Sequence, residues 1–217
     1  PGLPALKGLG DLADLQPCIV IDTREQAPLV FTRLGSRVGT LQTGDYSFRG
    51  GEELFAVERK SISDLVGCCM GDNRERFERE LHRLRGFRFA RLLIVGYRLE
   101  VEQHRYRSNV SPKAVLSTLA AFEARYIPVV WSHTPDLAAQ LIERWVWWFC
   151  RELVKQANGL LAASKTASGA TTPWNLHLLI QSRLATARWR EASILAGSPI
   201  GPGPYPPLQG IFFVRGQ

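Results

Sequence analysis

Short runs of β-type residues at 18–22, 54–60, 92–95 and 127–131 alternate with stretches of helical period, and that alternation confines the chain to an α/β sheet fold. Helical spacing is plainest over 73–85, where Phe77, Leu81 and Leu84 recur among charged residues and predict one buried stripe. Two further helices are signalled at their starts. Ser111 before Pro112 and Thr134 before Pro135 each set a capping hydroxyl ahead of a proline suited to the first turn. The first helix presents Val115, Leu119, Phe122 and Tyr126 on one stripe; the second presents Leu137, Leu141, Trp145, Trp148 and, at its margin, Phe149. Trp145, Trp147 and Trp148 cannot all point one way on a helix, so another element must cover part of that surface, either the tail of the same chain or a partner subunit.

At 217 residues the chain can bury one substantial core with material to spare. Residues 1–16, rich in Gly, Pro and Leu without a clear period, read as an extension, and residues 17–157 as the folded core. Residues 158–217 read as linker and tail of unknown role. The stretch 157–172 thins to Ala, Ser, Thr and Gly; an Arg-bearing helical pattern over 174–195, a Pro/Gly stretch over 197–207 and an apolar ending over 211–214 follow it. No internal repeat is visible.

Cys18, Cys68, Cys69 and Cys150 form no CxxC pair and no zinc-finger spacing with the four histidines, which argues against a structural zinc. With no disulfide framework and no signal-like opening, the simplest setting is a reducing one, cytoplasmic for a prokaryotic or viral chain and nuclear for a eukaryotic one. The apolar run 145–150 lies between Arg144 and Arg151 and is too short to span a bilayer, so no membrane partner is expected. The net charge is +7, and of 27 basic residues five are Lys and the rest Arg. Guanidinium groups grip phosphate bidentately, which makes nucleic acid the first partner to consider; codon bias and solubility give an equally simple origin for the excess.

The chemistry is concentrated between Asp22 and Asp64. In the segment VERKSISDL, strand alternation puts Glu58 and Lys60 on one face and Val57 and Arg59 on the other. A carboxylate and an ammonium pointing together can ligate a hard cation, orient water and stabilise developing phosphate charge, which is what phosphodiester hydrolysis requires. A plain surface ion pair has the same spelling. Asp22 and Glu25 in VIDTRE, and Asp45 in GDY after Gly44, fall at the strand ends where α/β active sites collect. Each has a structural alternative: Asp22 as a turn former, Glu25 as a surface acid paired with Arg24, and Asp64 as the partner of Ser61 in a helix cap. No Walker or dinucleotide glycine motif and no nucleophile elbow is present, so nothing supports a GTPase, a nicotinamide enzyme or a protease.

The ordered set IDTRE, GDY and VERKSISDL resembles the nuclease domain of the XPF family of structure-specific endonucleases, and the pattern of strands and helices continues to about residue 157. The resemblance implies a restriction-endonuclease-like α/β fold, a mixed central sheet flanked by helices, spanning residues 17–157. It implies cleavage of DNA near branch points, flaps or single-strand to double-strand junctions in repair or recombination, with Mg²⁺ as cofactor and Mn²⁺ as substitute. Carried over by position, Asp22, Asp45 and Glu58 would hold metal, Glu25 and Asp64 would support the site, Lys60 would be the catalytic lysine, and Arg59 would hold neighbouring acids or phosphate. The resemblance also implies pairing through the nuclease domain, as homodimer or heterodimer.

One departure stands out: no fused helicase is present, and after residue 157 no tandem helix-hairpin-helix module can be read, which leaves junction choice and affinity open. Basic residues at 74–91 could compensate, with Arg76, Arg79 and Arg83 as candidate phosphate contacts, although a charged helix face is more often only solvated. Arg98, Arg105 and Arg107 in the polar loop before Ser111 are similar candidates, with Tyr106 placed to stack on a base. A DNA-binding scaffold without catalysis, and a restriction-like nuclease indifferent to branches, are the competing expectations.

Overall fold

The computed structural model describes residues 16–167, in the order β1 (Ile19–Asp22), β2 (Ser36–Gly39), β3 (Tyr46–Phe48), β4 (Phe55–Ser61), α1 (Ile62–Gly67), α2 (Gly71–Leu84), β5 (Phe89–Val95), α3 (Arg98–Glu102), α4 (Pro112–Arg125), β6 (Val129–Ser132) and α5 (Pro135–Ala167). The six strands form one mixed sheet in the order β2-β1-β3-β4-β5-β6. β1 pairs with β2 in parallel and with β3 antiparallel, β3 with β4 antiparallel, and β4, β5 and β6 run parallel. This is the α/β architecture expected from the alternation of strands and helices.

Strand alternation sorts the core into two layers. Phe55 and Val57 of β4 join Ile19, Ile21, Tyr46 and Phe48 against α5, while Ala56 points the other way with Leu92 and Ile94, against α1, α2 and α4. The predicted stripes on α2 (Phe77, Leu81, Leu84) and on α4 (Val115, Leu119, Phe122) are buried there. Ser111 caps α4 as expected, its hydroxyl accepting from Ala114 N at 3.3 Å.

The stripe on α5 differs from expectation. Ala138, Ala139, Ile142, Val146, Trp147 and Cys150 face the sheet, Leu141, Trp145 and Phe149 pack at the edge of that layer, and Leu137 and Trp148 are 43% and 52% exposed. The two alanines carry no bulk, so the helix seats on them and rotates the larger stripe outward. Trp147, left off the expected stripe, is the buried tryptophan.

Residues 157–167, expected to be linker, continue α5, because Ala, Leu and Lys are good helix formers and the lone Gly159 costs only about 1 kcal/mol. Among the described side chains of α5, Leu153 is the last one packed on the sheet layer. The expected extension over 1–15, the rest of the expected linker and the patterns at 174–195, 197–207 and 211–214 lie outside the described residues.

Candidate active site

The ends of β1 and β4, the β3 entry and one face of α2 converge on a cavity of about 580 Å³. Asp45 precedes β3 and is drawn into the sheet by two backbone bonds, Asp45 N to Val57 O at 2.9 Å and Asp22 N to Asp45 O at 2.8 Å. Gly44 makes that approach possible: its φ is +84°, and a Cβ there would lie 3.3 Å from Val57 O. β4 then delivers Glu58 and Lys60 toward the α2 layer, where Lys60 Nζ bonds Glu58 Oε1 and sits 5.0 Å from the centroid of the Phe77 ring. The shared face predicted for this pair is therefore real.

Five acids were singled out by sequence, and their lone pairs separate them. An ionised carboxylate accepts about four hydrogen bonds. Asp22, 2% exposed, has four: Oδ1 accepts from Arg24 N at 2.9 Å and Arg24 Nε at 2.6 Å, and Oδ2 from Arg24 Nη2 at 3.2 Å and Leu41 N at 2.7 Å. Glu25 also has four, from Ala27 N at 2.9 Å, Arg59 Nη2 at 2.7 Å, Arg59 Nε at 2.9 Å and Tyr46 Oη at 3.3 Å. Both are anchors, and Glu25 pairs with Arg59 rather than with Arg24, which serves Asp22. Its filled acceptor sites set Asp22 apart from Asp45 and Glu58, and the metal role expected of it stays a proposal, which Asp22→Asn tests.

Asp45 and Glu58 have capacity to spare. Asp45 accepts one hydrogen bond, at Oδ2, from Arg59 N at 2.7 Å. Glu58, 1% exposed, leaves Oε2 buried without a partner. Asp64 is exposed, lines the cavity and serves the cap of α1 as well: its N–H donates to Ser61 Oγ at 3.2 Å, and Ser61 Oγ donates to its Oδ2 at 2.7 Å.

Electrostatics follow from this division. Burial opposes ionisation of Asp22, but the Arg24 side chain and the Leu41 and Arg24 N–H groups outweigh it and hold the carboxyl below its ordinary range. Glu25 is lowered in the same way, by Arg59 against burial. Burial pushes Asp45 up to about 6, and burial together with the Asp45 charge pushes Glu58 up to about 8, even with the Lys60 ammonium pulling both down. The carboxylates with free oxygens are thus the ones that hold a proton most readily.

This pair fits a hard divalent cation. An unpartnered buried oxygen invites a positive ligand, and Mg²⁺ ordinarily takes one or two protein carboxylates and fills its remaining positions with water and phosphate. Among the described residues no three His, Cys, Asp or Glu side chains converge into a ready-made cage.

Sequence reasoning missed two residues here. Tyr46 bridges Glu25 and Leu29 N, at 3.3 and 3.0 Å. Glu80 lines the cavity beside Asn73, Arg76 and Phe77, a stripe at helical spacing next to the buried face of α2, so its position was readable from the period of that helix. The cavity wall carries Arg24, Arg59, Lys60 and Arg76 against Glu25, Asp45, Asp64 and Glu80 and is balanced in charge. Of the arginines proposed for DNA, Arg76 is exposed on this rim, Arg79 is exposed on α2, and Arg83 is exposed with a 3.4 Å contact to Thr43 Oγ1. Arg105 and Arg107 line a separate groove.

Among the described residues no helix is long and apolar enough to cross a membrane, and all four cysteines are free. Also among them, no helix-hairpin-helix pair follows β6; α5 is the last element. No curated protein matches the sequence. Among solved structures the chain is similar to XPF from Aeropyrum pernix, with 21% identity, a TM-score of 0.49 and coverage of 60% of each chain. It is also similar to XPF from Aeropyrum pernix in complex with DNA, with 20% identity, a TM-score of 0.48 and coverage of 63% of this chain and 66% of that one. The chain therefore spans just under two thirds of the length of these relatives. A family model described as the ERCC4 domain matches residues 21–144, from the last two residues of β1 into α5. That match takes in the whole candidate site and more than half of the chain, which belongs to the family of the ERCC4 domain, the XPF-type nuclease domain.

Proposed function

We propose that the chain is a metal-dependent endonuclease that hydrolyses phosphodiester bonds of DNA near branches, flaps or single-strand to double-strand junctions, with residues 17–157 as its nuclease domain. The observation that carries this reading is the pairing of buried Glu58 with Lys60 on one face of β4, beside Asp45 and with Glu58 Oε2 unsatisfied. Family membership supports a phosphodiesterase, and a relative's structure is of a complex with DNA.

In this proposal Asp45 and Glu58 would hold Mg²⁺, or Mn²⁺ in its place, which when bound would polarise the scissile phosphate and acidify the attacking water. Lys60, partly exposed at the cavity, places a fixed cation where it can orient that water or meet negative charge developing on phosphate. Arg59 ties the site together: its side chain holds Glu25 and its backbone N–H holds Asp45, so the loop after β1 and the entry to β3 are both braced against β4. Asp64 stands in the first turn of α1 at the cavity edge, where it can accept a proton or a water hydrogen. Arg76 on the cavity rim, with Arg79 and Arg83 exposed on the same helix, would offer cations to the duplex backbone.

End-labelled flap, fork and linear duplex DNA, incubated with the protein and Mg²⁺, Mn²⁺ or EDTA, tests the reading. Metal-dependent cutting near the junction supports it; cutting without regard to branches reduces it to a general nuclease, and binding with no cleavage leaves a scaffold. Pairing through the nuclease domain is part of the same proposal, and light scattering that gives a monomer mass at working concentration counts against a homodimer.

A further inference from the structure

We infer that the groove beside the catalytic cavity is the path of a single-stranded DNA arm, an inference that rests on the nuclease reading above. The groove, about 410 Å³, is lined by Ser61, Ser63, Gly96, Arg105, Tyr106 and Arg107 among others. Ser63 lines both spaces, so a strand leaving the catalytic cavity passes directly into this one. At the end of β5 the groove floor is closely packed: Gly96 lies against Ile62, and a Cβ there would meet that side chain at 2.5 Å.

Charge favours the groove over the cavity. The cavity wall is balanced, whereas Arg105 and Arg107 are exposed on the groove, and its one acid, Glu100, is turned to a backbone bond from Tyr97 N at 3.2 Å. A polyanion therefore gains attraction here before any metal is bound. The aromatic components decide between single strand and duplex. Tyr106 is held in place by its hydroxyl, which donates to Val110 O at 2.7 Å, and by its ring contact with His104 at 4.6 Å. Next to Gly96, Tyr97 is 49% exposed with its ring stacked on His133 at 4.6 Å. Arginine for phosphate interleaved with aromatic faces suits unpaired bases, whose faces are free; in a duplex they are already stacked.

The test is fluorescence anisotropy of the full chain with labelled oligothymidylate, forked DNA and blunt duplex in EDTA, so that nothing is cut. The double variant R105A/R107A should weaken oligothymidylate and fork by about tenfold or more and leave blunt duplex within about twofold. Its plot of log affinity against log salt for oligothymidylate should be shallower by about 1.4, two phosphates at about 0.7 each on single strands. Tyr106→Leu should weaken oligothymidylate about fivefold or more with the salt slope unchanged, since stacking is lost and no ion is. Arg37→Ala, on the exposed edge strand β2, is the control, and circular dichroism confirms that each variant is folded.

Equal losses on duplex and single strand, or no loss on either, overturn the groove assignment. Metal-dependent cleavage by the unmodified protein is scored separately. If it persists while the groove variants behave as the unmodified protein does, the groove proposal fails and the nuclease reading stands. If no DNA is cut yet the oligothymidylate losses appear, the groove stands and the nuclease reading fails.

Discussion

Metal binding to this site should be coupled to release of a proton, and the size of the coupling can be worked from the two carboxylates with spare oxygens. Burial pushes Asp45 up to about 6, and burial together with the Asp45 charge pushes Glu58 up to about 8. At pH 7 the metal-free pair therefore carries about one proton, nearly all of it attributable to the higher of the two values. A cation binds the ionised form, so that proton must leave. Affinity for Mn²⁺ should rise about tenfold per pH unit, about 1.4 kcal/mol, between pH 6 and 8 and level off above the upper value. Isothermal titration calorimetry in two buffers of different ionisation enthalpy counts the proton directly. In Glu58→Gln the linkage should disappear together with most of the affinity. Flat affinity from pH 6 to 8 with no proton released would refute the assignment of Asp45 and Glu58 as the metal pair.

The same proton has a definite sign in stability. Glu58 titrates higher in the folded chain than the ordinary carboxyl value of 4.5. Between those values the native state binds more protons than the unfolded state, so its contribution is complete below the lower value and is lost as pH rises through about 8. Urea midpoints of the metal-free protein should fall across that window, at up to about 1.4 kcal/mol per pH unit. Glu58→Gln, which mimics the protonated acid in shape, should flatten that slope, and a midpoint that rises with pH would contradict the reasoning.

Three further outcomes are expected. Lys60→Ala, in a variant that circular dichroism shows to be folded, should lower cleavage of labelled flap DNA by about 10²–10³-fold, and full retention of cleavage would remove Lys60 from the mechanism. Asp22→Asn should keep Mn²⁺ affinity but cost about 1.5–3 kcal/mol in urea denaturation, because the carboxylate holds Arg24 and Leu41 N; lost metal affinity in a folded variant would return Asp22 to the metal site. Glu143→Ala should cost about 3 kcal/mol or more, since its fully buried Oε1 accepts from Thr32, Arg33 and Leu34 N at 2.9, 2.6 and 3.1 Å; a loss under about 1 kcal/mol would mean those three N–H groups find other partners.

Much of the scaffold was legible because periodicity reports burial directly. β1, β4, β5 and β6 carry short apolar runs, and α2 and α4 carry clean stripes. β2 was not legible, since Ser36, Arg37 and Val38 are exposed on a sheet edge and show no buried alternation. β3 was not either: it is three residues long and its pairing with β1 and β4 lies outside any local window. Glu143 gave no signal at all. On α5 it reads as an ordinary helix acid, and its burial follows from a loop more than a hundred residues earlier in the chain.

The candidate site shows the sharper limit. Spelling and spacing brought Asp22, Glu25, Asp45, Glu58 and Asp64 forward as equivalent acids, and a resemblance can rank them only by position. What distinguishes them chemically is which lone pairs remain free, and that depends on donors from Leu41, Ala27 and Tyr46 and on which acid Arg59 happens to reach. Arg24 and Arg59 lie next to acids in the sequence, yet Arg24 saturates the acid two residues before it, while Arg59 crosses the sheet to Glu25 and leaves its neighbour Glu58 to Lys60. An arginine that completed the shell of Glu58 would have made a stable, inert ion pair of the same letters. Because Lys60 is a single point charge and reaches only one oxygen, Glu58 keeps the other, and the reactive character of the pair comes from that incompleteness.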